Sequence, residues 1–172
     1  MVLNTVASPV ARPLRATATS RGFTLIEIAV VLAVTVSILL VSAPLTVSWA
    51  DSARVTETRA LLQQAHTRAR AIALRNTAGA IGGAPAALVC MEANTLYVHQ
   101  GVPSGCTVGA AWQQEVPGGE RTSITIGGEP LGCIAVANTG RPVAFSFDGD
   151  TCTTAIAFRV ARGDEEIDGE LR

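Results

Sequence analysis

Few side chains in this chain are placed to do chemistry, and one of them is out of keeping with its surroundings. Glu27 is the single charge in the stretch 22–50, which is otherwise apolar or small. A carboxylate inside an apolar segment costs on the order of several kcal/mol in hydrocarbon, so it reads as a group awaiting a cation. The four cysteines, Cys90, Cys106, Cys133 and Cys152, all follow that stretch. None has Cys-x-x-Cys spacing, which argues against zinc. An even number in an oxidising compartment instead forms disulfides, with three possible pairings. His66 and His99 have no Cys or Ser beside them at a motif spacing, so both read as surface or packing histidines. Asp148-Gly149-Asp150 and the acidic tail 164–168 offer oxygen ligands of the kind calcium takes. The EF-hand pattern is absent, so they read as a turn and a solvated tail. No glycine cluster has the strand–GxxxxGK[ST]–helix frame of a phosphate loop. These residues point to no enzyme, no metal and no cofactor.

The elements that must position these groups follow from patterning. An apolar run of almost 30 residues exceeds the roughly 20 that span a bilayer, so 23–50 is expected to be a transmembrane helix. Residues 1–22 hold Arg12, Arg15 and Arg21 and no acid, which keeps that side in the cytoplasm. An ordinary signal peptide has an apolar core about half as long. Pro44 lacks an N–H and crowds the preceding turn, which predicts a bend there. From Asp51 the pattern becomes amphipathic. Val55, Leu62, Ala65, Ala69, Ile72 and Ala73 share one face, and Asn76 with Gly79 ends the helix near 77. Beyond it, β-rich runs at 86–91, 95–100, 112–116, 122–126, 133–137, 143–147 and 155–160 alternate with glycine and proline clusters. The turn 92–94 joins the first two as a hairpin.

Composition limits the rest. The chain has 172 residues, enough for one small domain after a leader and a membrane segment. Aromatics are only 4%, so Val, Ile, Leu and Ala must fill the core. Residues 1–80 hold eight Arg against three acids, and 81–172 hold five Arg against eleven acids. The head is therefore acidic, which argues against a general nucleic-acid surface.

Arg21-Gly22-Phe23-Thr24-Leu25-Ile26-Glu27, followed by an apolar run, resembles the leader and N-terminal helix of type IV pilins and type II secretion pseudopilins. Within that superfamily, Leu61–Asn76 resembles the helix ending of the GspH/FimT minor pilins. Leu88-Val89-Cys90, then Cys106, then Trp112 resembles their heads. The resemblance implies an α+β pilin fold, in which a long hydrophobic transmembrane helix packs its C-terminal half on a small antiparallel sheet. It implies cleavage between Gly22 and Phe23 by a prepilin peptidase, N-methylation of Phe23, and a role for Glu27 in filament assembly. It also favours the pairs Cys90–Cys106 and Cys133–Cys152, and a proline near Pro44 is common in the superfamily. The implied organisation is a leader at 1–22, a filament-core or membrane half at 23–50, an amphipathic half at 51–77 and a periplasmic head at 78–172. The protein would sit in the inner membrane by a single pass and then enter a filament with other pilin or pseudopilin subunits. The function implied is that of a minor pilin in pilus assembly at or near the filament tip. The alternative is a minor pseudopilin of a type II secretion system. A further alternative is DNA binding during transformation, which relies on a Gly-Arg-x-Arg element. Here Gly169-Glu170-Leu171-Arg172 has Glu in place of the first Arg, which argues against DNA.

Overall fold

The computed structural model describes residues 22–172, and for 41–46 the backbone alone. The leader assignment, 1–22, thus falls outside the described residues except for Gly22. The bend expected at Pro44 falls on a side chain outside them. The chain divides into two units, Met1–Val41 and Ser42–Arg172.

Helix α1 runs Leu25–Arg75, 51 residues. The expected transmembrane helix and single-pass inner-membrane location are overturned: among the described residues no helix is long and apolar enough to cross a membrane. By Ser48 and Asp51 the helix is already binding polar partners in the head. The chain therefore builds a helix of mixed character, and the hydrophobic transmembrane helix of the expected fold class is not found.

The helix stops where expected. Asn76 takes a left-handed φ of 45°, which asparagine tolerates at a helix end. Its side chain then closes a ring with one backbone unit. Asn76 Nδ2 donates to the Ala80 carbonyl at 3.0 Å, and Ala80 N–H donates to Asn76 Oδ1 at 2.8 Å. Asn138 Nδ2 donates to the same carbonyl at 3.1 Å.

Eleven strands follow: β1 Pro85–Glu92, β2 Thr95–Gln100, β3 Trp112–Glu115, β4 Thr122–Ile126, β5 Glu129–Pro130, β6 Cys133–Ala137, β7 Pro142–Val143, β8 Phe145–Phe147, β9 Asp150–Cys152, β10 Ala157–Arg162 and β11 Glu165–Glu170. They form three antiparallel sheets, ordered β3-β2-β1-β6-β7, β11-β10-β4-β5 and β8-β9. In the first, β1 and β6 are buried on both faces. Ala87 and Val89 of β1, with Ile134 and Val136 of β6, face the main core. Leu88, Cys90, Cys133 and Ala135 face a second, smaller core. Period-two alternation along each strand sends its neighbours to opposite sides.

The helix supplies one wall of the main core. Val55, Leu62, Ala65, Ala69 and Ala73 are buried there, and Ile72 packs at its edge. The alanines at i, i+4 spacing let the helix backbone approach closely, while Leu62, fully buried, supplies bulk worth roughly 2 kcal/mol. The second sheet joins the same core through Ile124, Ile126, Phe158 and Val160. Gly169 faces the Phe158 ring so closely that a Cβ there would collide with it.

The acidic tail departs from expectation. It is strand β11, paired along its length with β10. Arg159 donates to both oxygens of Asp168, at 2.7 and 3.1 Å, and lies 3.3 Å from Glu166. A single guanidinium thus offsets the repulsion among carboxylates that read in sequence as a solvated tail. Its bond to Asp168 holds that carboxyl below the usual carboxylate range. Two further expectations change. The run 143–147 splits into β7 and β8, and the strand placed at 155–160 is shifted to Ala157–Arg162.

One partly buried ion pair ties helix to sheet. Arg162 Nε donates to Asp51 Oδ1 at 2.6 Å, with the two side chains 12% and 14% exposed. Arg162 Nη1 also donates to the Gly118 carbonyl at 2.6 Å and to Thr122 Oγ1 at 3.2 Å. Gly118 has φ 94°, and a Cβ there would overlap the guanidinium. Asp51→Ala would leave the buried guanidinium without its counter-charge, and we expect a loss of about 3 kcal/mol in urea unfolding of the full chain. In the double variant Asp51→Leu/Arg162→Met the loss should be smaller than the sum of the single losses. Additive losses would show that the pair is not coupled.

Candidate functional site

The residues with chemical potential gather at three places: the start of α1, the cystine face of the first sheet, and His66 on the helix.

Gly22 and Phe23 precede α1 and are exposed. A Cβ on Gly22 would meet nothing within 4 Å. Among the described residues nothing therefore demands a glycine there; a requirement for one would come from whatever binds that segment. Thr24 follows and caps the helix. Its Oγ1 accepts the Glu27 N–H at 3.3 Å, and Glu27 Oε2 accepts the Thr24 N–H at 3.5 Å. These reciprocal bonds are a capping box, and they satisfy two of the donors that a helix start leaves orphaned. The carboxylate also lies at the positive end of the helix dipole. Glu27 thus has a local partner that the sequence reading missed. The signal was present as Thr24-x-x-Glu27 ahead of an apolar run.

Past the box, from Ile28 to Leu40, the helix is apolar on every side. Ile26, Val30, Val34 and Ile38 form one stripe and are 53–74% exposed. Ile28, Leu32, Val36 and Leu40 form another, also exposed. A helix apolar all round is ordinarily the buried core of something larger, and so wide an exposed patch marks an interaction surface.

The cystine face lies within Ser42–Arg172. Cys90 is bonded to Cys106 and Cys133 to Cys152. The loops they close have sequence separations of 16 and 19, each worth about 3 kcal/mol in chain-entropy terms. Cys90 and Cys133 are direct cross-strand partners, so the two cystines are neighbours. His99 stands opposite Leu88 on β2, two residues along from the strand partner of Cys90. It is 1% exposed, and its Nε2 bonds the Cys106 carbonyl at 2.7 Å. Its Nδ1 has no hydrogen-bond partner among the described residues. Cys90, His99 and Cys106 place their ligand atoms within 4.8 Å of one another. Among the described residues this is the one such group; the acidic clusters considered for calcium do not form one. Asp148 and Gly149, both at positive φ, make the two-residue turn between β8 and β9, and Asp148 and Asp150 are exposed.

His66 is 3% exposed, and its Nε2 is unpartnered among the described residues. Burial lowers its pKa, the Arg70 charge lowers it further, and the Arg172 backbone offsets part of this. Of the stretch compared with a DNA-binding element, Gly169 and Glu170 lie in β11, Leu171 is buried and Arg172 is exposed. Gly140 is buried beside Arg141, which is exposed.

Two outcomes test these placements. Glu27→Gln keeps the capping acceptor, since glutamine serves in a capping box, whereas Glu27→Ala removes it. Amide exchange at 25–28 should quicken several-fold in the alanine variant and change little in the glutamine variant. Equal acceleration in both would show that charge matters and the cap does not. For His66, the folded value lies below the unfolded 6.5, so the unfolded chain binds the proton first. Stability should therefore fall as pH drops below about 6.5 towards the depressed folded value. His66→Gln should flatten the urea midpoint over that window; an unchanged slope would place the dependence on another group.

No protein-family model matches the chain, and neither the curated proteins nor the solved structures compared with it include a match.

Proposed function

We propose that this protein is a structural subunit of a filament, a minor pilin of the GspH/FimT kind, that assembles through the first part of α1. The observation that carries this reading is the helix at 25–40, apolar on every side and exposed. Such a helix is stable in water when neighbouring helices cover it, and a bundle of like helices buries each stripe at once. The capped start at Thr24–Glu27 and the open Gly22-Phe23 segment agree with the resemblance carried by residues 21–27. In that reading Gly22-Phe23 is the cut site and Phe23 the methylated terminus. Glu27 serves both the cap and the register of assembly. The head, braced by two cystines, is the part presented outward.

The experiment pairs two measurements on the protein isolated from its source. Mass spectrometry should find the mature chain beginning at Phe23. Crosslinking should trap it with pilin-type partners, and Val34→Asp should reduce that capture at least tenfold while leaving the melting of the head unchanged. A mature start elsewhere, or capture indifferent to Val34→Asp, would overturn the reading.

A further inference from the structure

The cystine face holds a histidine whose second ring nitrogen makes no hydrogen bond among the described residues. Cys90, His99 and Cys106 are all buried, and their ligand atoms lie within 4.8 Å of one another. They come from β1, from β2 and from the loop after β2. The His99 ring is held in a defined state. A backbone carbonyl can only accept, so the 2.7 Å contact to the Cys106 carbonyl makes Nε2 the donor. Nδ1 is the ring nitrogen left to serve as a ligand. It is buried, and among the described residues no hydrogen bond satisfies it. Metal-binding histidines are commonly prepared in this way, donating one N–H to a carbonyl and offering the other nitrogen to the ion.

We propose that two-electron reduction of the Cys90–Cys106 disulfide converts this group into a site for monovalent copper, with Cys90 Sγ, Cys106 Sγ and His99 Nδ1 as ligands. The reductant is a dithiol. Its two sulfurs give up two electrons and two protons and close into their own disulfide, while Cys90 and Cys106 become thiols. Cu+ then displaces the two thiol protons and binds both thiolates. Soft sulfur ligands favour Cu+, and a dry setting suits an ion of low charge. The hydrogen bond from His99 to the Cys106 carbonyl does not depend on the S–S bond, so it holds the loop cysteine beside the ring after reduction. A surface cavity of about 180 Å³ lined by Cys90, Cys106 and Cys133 gives reductant and ion a way in. The inference stands independently of the filament reading, because it concerns the head alone.

The test uses the full chain. It is reduced with excess dithiothreitol, freed of reductant without oxygen, loaded with one equivalent of Cu+ and challenged with bicinchoninate. The cysteines are then alkylated and mapped by mass spectrometry. Cu+ should protect Cys90 and Cys106 at least tenfold more than Cys133 and Cys152, and the oxidised chain should retain none. His99→Gln should lower retention about tenfold or more, with melting of its oxidised form reporting that the head still folds. Equal protection of all four cysteines would overturn the proposal, as it would mean either a four-sulfur site or an unfolded reduced chain. Retention by the oxidised chain, or undiminished retention by a folded His99→Gln, would overturn it as well.

Discussion

The head depends on the pairing of β1 with β6, two strands with no face left for water. Antiparallel sheets often leave one side solvated. Here each strand buries successive residues into two different cores. One is closed by the helix and the other by the cystines. The central pair can therefore be aliphatic and small throughout, and each sheet face needs its own cover. The alanines on the helix bring it close to the sheets, and among the described residues Phe158 is the one aromatic ring buried in the core beneath it.

The helix cover is held in place as well as buried. Asp51 and Arg162 form the charged end of the contact, and the same guanidinium binds the carbonyl of Gly118 and the hydroxyl of Thr122. Ser48 Oγ donates to Glu165 Oε1 at 2.7 Å one turn earlier. These polar ties sit where helix and β10–β11 hairpin meet, and they select an orientation that apolar packing alone would leave loose. The value of the Asp51–Arg162 pair lies in that selection, because partial burial of two charges offsets much of their attraction.

The opposite holds for the helix start. At 25–40 apolar side chains are exposed on all sides, while the backbone is satisfied by the capping box and by the helix itself. That segment is complete as local structure and incomplete as packing, which is the physical basis of the proposed assembly role. The cystine face is the reverse case: its side chains are buried, yet among the described residues nothing bonds one imidazole nitrogen.

Much of this was legible in the residues. Period-two runs marked β1, β2, β4 and β6, the stripe from Val55 to Ala73 marked the buried face of the helix, and Asn76 marked its end. Each rests on local geometry, in which spacing alone says which side chains share a face. The capping box at Thr24–Glu27 was equally local, but the carboxylate's apolar setting drew attention to distant partners. The length of the apolar run suggested a membrane helix, and there the count of residues misled. Other features had no local signature. Glu165–Glu170 reads as a charged tail until Arg159 is placed across from it, and β5 and β9 are too short to have a period. The neighbouring of Cys90 and Cys133 follows from strand order, and Asp51 with Arg162 are 111 residues apart. Such contacts depend on which strands pair and where the helix lies over them, and that choice belongs to the packing of the whole core.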